Sequence, residues 1–216
     1  MIKACIFNLE GVILDTQAVY LEALRDLSKS LQVAWPGDPH DLSPVERLSL
    51  FEQLLEASHK PIPLQERMHI LDQLNNQVAA RLLAVTPDDL KDGVFVFIKE
   101  LKNKGMNLAV VSIFPNTRKI LNGLQITHLF HTLVEEPQAS REELLRGVYL
   151  RAASELGEDP DQTIVFAHHT AAVEAAREAG FLVVGIGNPQ LLGEADLVIP
   201  SLDKIRFLKI IDAIGG

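Results

Sequence analysis

Five short runs of apolar, largely β-branched residues constrain this chain more than anything else in it: Lys3 to Asn8, Leu108 to Ser112, Thr163 to Ala167, Phe181 to Gly185 and Leu197 to Ile199. None shows the polar alternation of a strand with one wet face, so each predicts a strand covered on both sides. The segments 94–104, 116–123, 141–156, 170–179 and 202–213 carry apolar residues at helical spacing instead. Regular alternation of strand and helix predicts an α/β protein with a doubly wound parallel sheet, its crossovers right-handed.

Residues 16–88 break that rhythm, offering three or four amphipathic helical stretches and no convincing strand. They predict an inserted helical unit. Leu21, Leu24, Leu27 and Leu31 define one apolar face at spacings of three or four, and Leu48, Phe51, Leu54 and Leu55 another. The stretch from Trp35 to Asp41, with Pro36, Gly37 and Pro39, reads as a loop. Residues 1–15 and 89–216 are then the core domain and 16–88 the cap.

Length and charge narrow the partners. The 216 residues exceed one compact domain and fall short of two full ones. Twenty basic side chains against 29 acidic give a net charge of −9 with no basic cluster, a field that repels nucleic acid and anionic membranes. The lone Cys5 allows no intrachain disulfide and fits a reducing compartment. No apolar run reaches the roughly 20 residues of a membrane helix, and the first residues lack the pattern of a secretory signal, so the cytoplasm is the expected address.

The loop after the first strand, Asn8-Leu9-Glu10-Gly11-Val12-Ile13-Leu14-Asp15-Thr16, resembles the opening motif D-x-D-G-V-x-x-D-T of the haloacid dehalogenase superfamily, in its β-phosphoglucomutase-like branch. Ala109-Val110-Val111-Ser112 resembles the second motif of that family, and Gly180 to Pro200 its C-terminal strands. The resemblance spans nearly the whole chain and implies a Rossmann-like core with an α-helical cap. It also implies a chemistry: the first Asp attacks phosphorus, the second transfers protons, and magnesium and a lysine neutralise charge.

Each of those positions differs here. Asn8 stands where the nucleophile would be, and a carboxamide is too poor a nucleophile to form an acyl phosphate. Glu10 keeps the acid/base carboxylate on a longer arm, displaced by about an ångström. No lysine lies between Lys119 and Lys204, and only Arg141 or Arg146 offers a substitute cation. After the third strand come Ala167 and His168, the latter at a former metal-ligand position where magnesium prefers oxygen. Phe114 and Pro115 replace a serine and a lysine.

Ser112, Asn116 and Arg47 remain as candidate phosphate or ligand contacts, the first two aided by helix N-terminal amides. Each has a bland alternative: a turn cap, a helix cap and a solvated face. His168 and His169 with Glu10 and His131 form either a transition-metal ligand set or space-filling loop residues. His40, His59 and His69 show no ligand spacing. The expectation is a pseudoenzyme that has lost Mg-dependent phosphoryl transfer, without metal or cofactor, binding a small phosphorylated metabolite or a protein partner. The alternative is a divergent sugar-phosphate phosphatase or β-phosphoglucomutase using an altered site, with Mg. A third reading is a structural module whose cleft has become a contact surface.

Overall fold

The computed structural model describes residues 1–37, 44–58, 61–136 and 142–214. In chain order the elements are β1 (Ala4–Asn8), α1 (Thr16–Leu31), α2 (Pro44–Glu56), α3 (Leu64–Leu83), α4 (Val94–Asn103), β2 (Asn107–Ser112), α5 (Thr117–Gly123) and β3 (Thr132–Glu135). Then follow α6 (Glu142–Leu156), β4 (Thr163–Ala167), α7 (Thr170–Glu178), β5 (Leu182–Ile186), β6 (Leu197–Ile199) and α8 (Phe207–Ile214). The chain divides into two compact units, Met1–Asp15 with Val85–Gly216, and Thr16–Ala84. The second unit ends four residues before the expected end of the insertion at residue 88. Val85 to Leu90 belong to the first unit because Leu90 bridges antiparallel to Leu14 and the Val85 carbonyl lies against Gly123.

All six strands run parallel in the order β3-β2-β1-β4-β5-β6. The expected doubly wound α/β fold is present, with one strand more than the sequence predicts. The addition, β3, is a four-residue edge strand that is only half-buried. Its Thr132 and Glu135 hide the apolar run that marks the central strands.

β1 lies in the middle and sends its side chains to two cores, as the period of two dictates. Phe7 stacks on Phe166 with ring centroids 4.6 Å apart, and the edges of Phe97 and Phe130 close around it at 6.3 and 6.2 Å. Ile6 points the other way, into a cluster with Val165, Val183, Ala152 and Ala153 of α6 and Ala172 and Ala176 of α7. Asn8 shares the face of Ile6 and therefore looks toward α6. Small residues on α6 and α7 bring both helices close to the sheet.

In the second unit, α1 buries Leu21, Ala23 and Leu24, while Leu27 and Leu31 are half-buried. α2 turns Leu50, Phe51, Leu54 and Leu55 inward. The expected face is thus correct except at Leu48, which is 50% exposed; Leu50 takes the inward position one turn before Leu54. Arg67 of α3 pairs with Glu52 of α2 at 2.5 Å, and Arg81 reaches Asp26 of α1 at 2.6 Å. Among the described residues, no helix is long and apolar enough to cross a membrane.

Candidate active site

Strand order reverses between β1 and β4, and the crevice at the carboxyl ends of such strands is where a doubly wound sheet binds ligands. Asn8 ends β1, Ser112 ends β2 and Ala167 ends β4. Glu10 and His168 occupy the loops that follow. Parallel register fixes the neighbours, with Asn8 opposite Val111 and Phe7 opposite Phe166.

Asn8 is 7% exposed, and its Oδ1 accepts a hydrogen bond of 2.8 Å from the hydroxyl of Tyr149 on α6. Tyr149 is fully buried, and burial pushes its phenol well above the usual range, so it stays protonated and donates. Sequence reasoning gives this residue no role, the segment 141–156 being read only as an amphipathic helix. The signal was its hydroxyl, because a tyrosine facing a core must find a polar partner there.

Glu10 is equally buried, and it does not extend freely into the crevice. Its Oε1 accepts from Ser112 Oγ at 2.6 Å and from the Ile113 backbone N–H at 3.0 Å. The Phe114 N–H donates in turn to Ser112 Oγ at 3.0 Å, which leaves the serine hydrogen directed at Glu10. Desolvation by burial raises the Glu10 pKa and outweighs the Ser112 and backbone hydrogen bonds that lower it.

The loop between them turns at Gly11, where φ is +73°. A Cβ there would lie 2.3 Å from Cδ2 of His168, so glycine is required by both conformation and space. The His168 ring also approaches Gly187, and its Nδ1 sits 2.5 Å from the Ile186 carbonyl, which makes Nδ1 the protonated nitrogen. Lys91 Nζ donates to the Gly11 carbonyl at 2.7 Å. Nothing in the sequence pointed to this lysine, because 80 residues separate the pair.

The remaining candidates have surroundings of their own. Asn116 precedes α5 in a left-handed conformation, with φ of 65°, and its side chain caps nothing. The amides of Asn116 and Thr117 donate to the two oxygens of Glu135 at 3.1 and 2.8 Å. Those helix N-terminal amides, expected to assist a phosphate, hold a carboxylate of this chain. Arg47, in the helical unit, is half-buried with its guanidinium 4.7 Å from the centre of the Tyr20 ring. Arg146 pairs at the surface with Glu178 at 3.8 Å, and Arg141 lies outside the described residues.

Asn8 and Glu10 offer a magnesium ion a carboxamide oxygen already bonded to Tyr149 and a carboxylate whose Oε1 is already bonded to Ser112 and Ile113. Ala167 supplies none and His168 supplies nitrogen, so this set does not fit a hard cation that demands oxygen. His131 accepts from the Leu108 N–H at 2.9 Å, near the amino end of β2 and opposite the edge that carries Glu10 and His168. It therefore cannot join them. Among the described residues no three His, Cys, Asp or Glu side chains gather where they could hold a metal ion. His40 and His59 lie outside the described residues, and His69 contacts Gln73.

Residues 2–180 match the family model of haloacid dehalogenase-like hydrolases. The β-phosphoglucomutase of Bacillus subtilis is 28% identical over 203 residues, covering 91% of this chain and 88% of the relative. A phosphorylated carbohydrates phosphatase of Thermotoga maritima is 26% identical, covering 82% of each. Among solved structures, a β-phosphoglucomutase from Clostridium difficile superposes with a TM-score of 0.75 at 23% identity, covering 100% of this chain and 98% of that one.

Proposed function

We propose that this chain, which belongs to the haloacid dehalogenase-like hydrolase family and is β-phosphoglucomutase-like within it, is a pseudoenzyme: it keeps the fold and acts by binding a ligand or a protein partner, without Mg-dependent phosphoryl transfer. One observation carries the reading. The position for nucleophilic attack is Asn8, whose one side-chain oxygen accepts from the Tyr149 hydroxyl. An amide oxygen carries no charge, and a bound donor withdraws what electron density it has.

Three further features support it. Glu10, the acid/base candidate, is tied to Ser112 and Ile113. Ala167 and His168 remove the oxygen ligands that magnesium would need. No lysine lies between Lys119 and Lys204, and Arg146 pairs with Glu178. Phosphoryl transfer depends on positioning and charge neutralisation together, and here both are weakened at once.

A second reading, a divergent sugar-phosphate phosphatase or β-phosphoglucomutase working through the altered site, is favoured by the activities in the relatives' names and by the raised pKa of Glu10, a property of proton-transfer groups. Phosphate release and mutase turnover on sugar phosphates with magnesium separate the two. Rates at the buffer background support the pseudoenzyme. Rates well above it that vanish in Asn8→Ala establish the second reading.

A further inference from the structure

Ser112 Oγ and the Ile113 amide converge on a single oxygen, as donors do around a phosphate oxygen, yet that oxygen is Oε1 of Glu10 from the same chain. The serine is oriented for this role, since the Phe114 amide occupies its acceptor side. Glu10 is 7% exposed, so water competes weakly for these donors. A glutamate arm is one methylene longer than an aspartate arm, and that length carries the carboxylate across to β2.

We propose that Glu10 is an internal anion filling the Ser112–Ile113 subsite, so that the crevice excludes phosphate there and takes a ligand that is neutral or cationic at that point. The inference rests on the pseudoenzyme reading and sharpens it, by removing the phosphorylated metabolite from the ligand classes. Like charges explain the exclusion: a phosphate and the Glu10 carboxylate compete for the same two hydrogens, and they repel each other in a site poorly screened by water. Glu135 acts in the same sense at α5, where its carboxylate already takes the Asn116 and Thr117 amides.

The experiment is calorimetric titration of the full chain with inorganic phosphate at neutral pH, comparing wild type, Ser112→Ala, Glu10→Ala, Glu10→Asp and the double variant Glu10→Ala with Ser112→Ala. Wild type is expected to show no saturable binding at millimolar phosphate. Glu10→Ala is expected to bind at least about tenfold more tightly, and the added Ser112→Ala to abolish the gain. Glu10→Asp, which keeps the charge but shortens the arm, provides a second route should the alanine variant fail to unfold cooperatively. Saturable phosphate binding by wild type that Ser112→Ala removes would overturn the proposal, as would folded Glu10 variants that gain nothing. Turnover of sugar phosphates by wild type would instead sink the pseudoenzyme reading, so the two failures are distinguishable.

Discussion

Glu10 couples the site to pH. Its ordinary pKa of 4.5 is raised in the folded chain by burial, so the folded state holds this proton to a higher pH than the unfolded state does. The stability this contributes is complete below about pH 4.5 and is lost as pH rises through the folded value. Thermal unfolding of wild type and Glu10→Gln across pH 4 to 8 checks the sign: wild type is expected to lose ground to the glutamine variant as pH rises. Tyr149→Phe leaves the Asn8 oxygen without its donor in the core, and is expected to cost about 1–3 kcal/mol in denaturant titration. Asn8, Glu10, Ser112 and His168 were all legible in the sequence because they sit at strand ends or in the turns that follow. Tyr149 and Lys91 were not, since each meets its partner across more than 75 residues, a relation that only tertiary structure creates.

At the level of elements, the central strands declared themselves because burial on both faces leaves no room for polar residues. β3 did not, because an edge strand has a solvated side and tolerates Thr132 and Glu135. The helix boundaries came within a residue or two except for α8, which begins at Phe207 where residue 202 was expected. The segment before it is held by contact with Gly93, whose Cβ would fall 2.3 Å from the Leu202 carbonyl. The sequence offers the start of α5 either as a site for an outside anion or as a capped helix end, and the residue that fills it, Glu135, comes from the strand the sequence conceals. Glu135→Ala should remove that anchor and cost about 0.5–2 kcal/mol, with faster hydrogen exchange at the Thr117 amide as the local readout.

Over the whole molecule, two cores flank β1 in the first unit, and the candidate site lies at the carboxyl edge of its sheet. Phe7 links three aromatic neighbours, and Phe7→Ala should destabilise by about 3–5 kcal/mol, measured by reversible unfolding. Magnesium and inorganic phosphate, alone or together, should leave the melting temperature of wild type unchanged, because a ligand raises it only by preferring the folded state. A rise with magnesium would contradict the assignment of the Asn8, Glu10 and His168 donors. The placement of His168 against Gly11 and Gly187 also bears on what a substitution there would disturb. Exchanging the imidazole for an aspartate adds a carboxylate oxygen but removes the ring packed against Gly11 and abandons the tie to the Ile186 carbonyl. On the pseudoenzyme reading the position works as a ratchet: an engineer who places a carboxylate there must also find another way to tie this loop to β5.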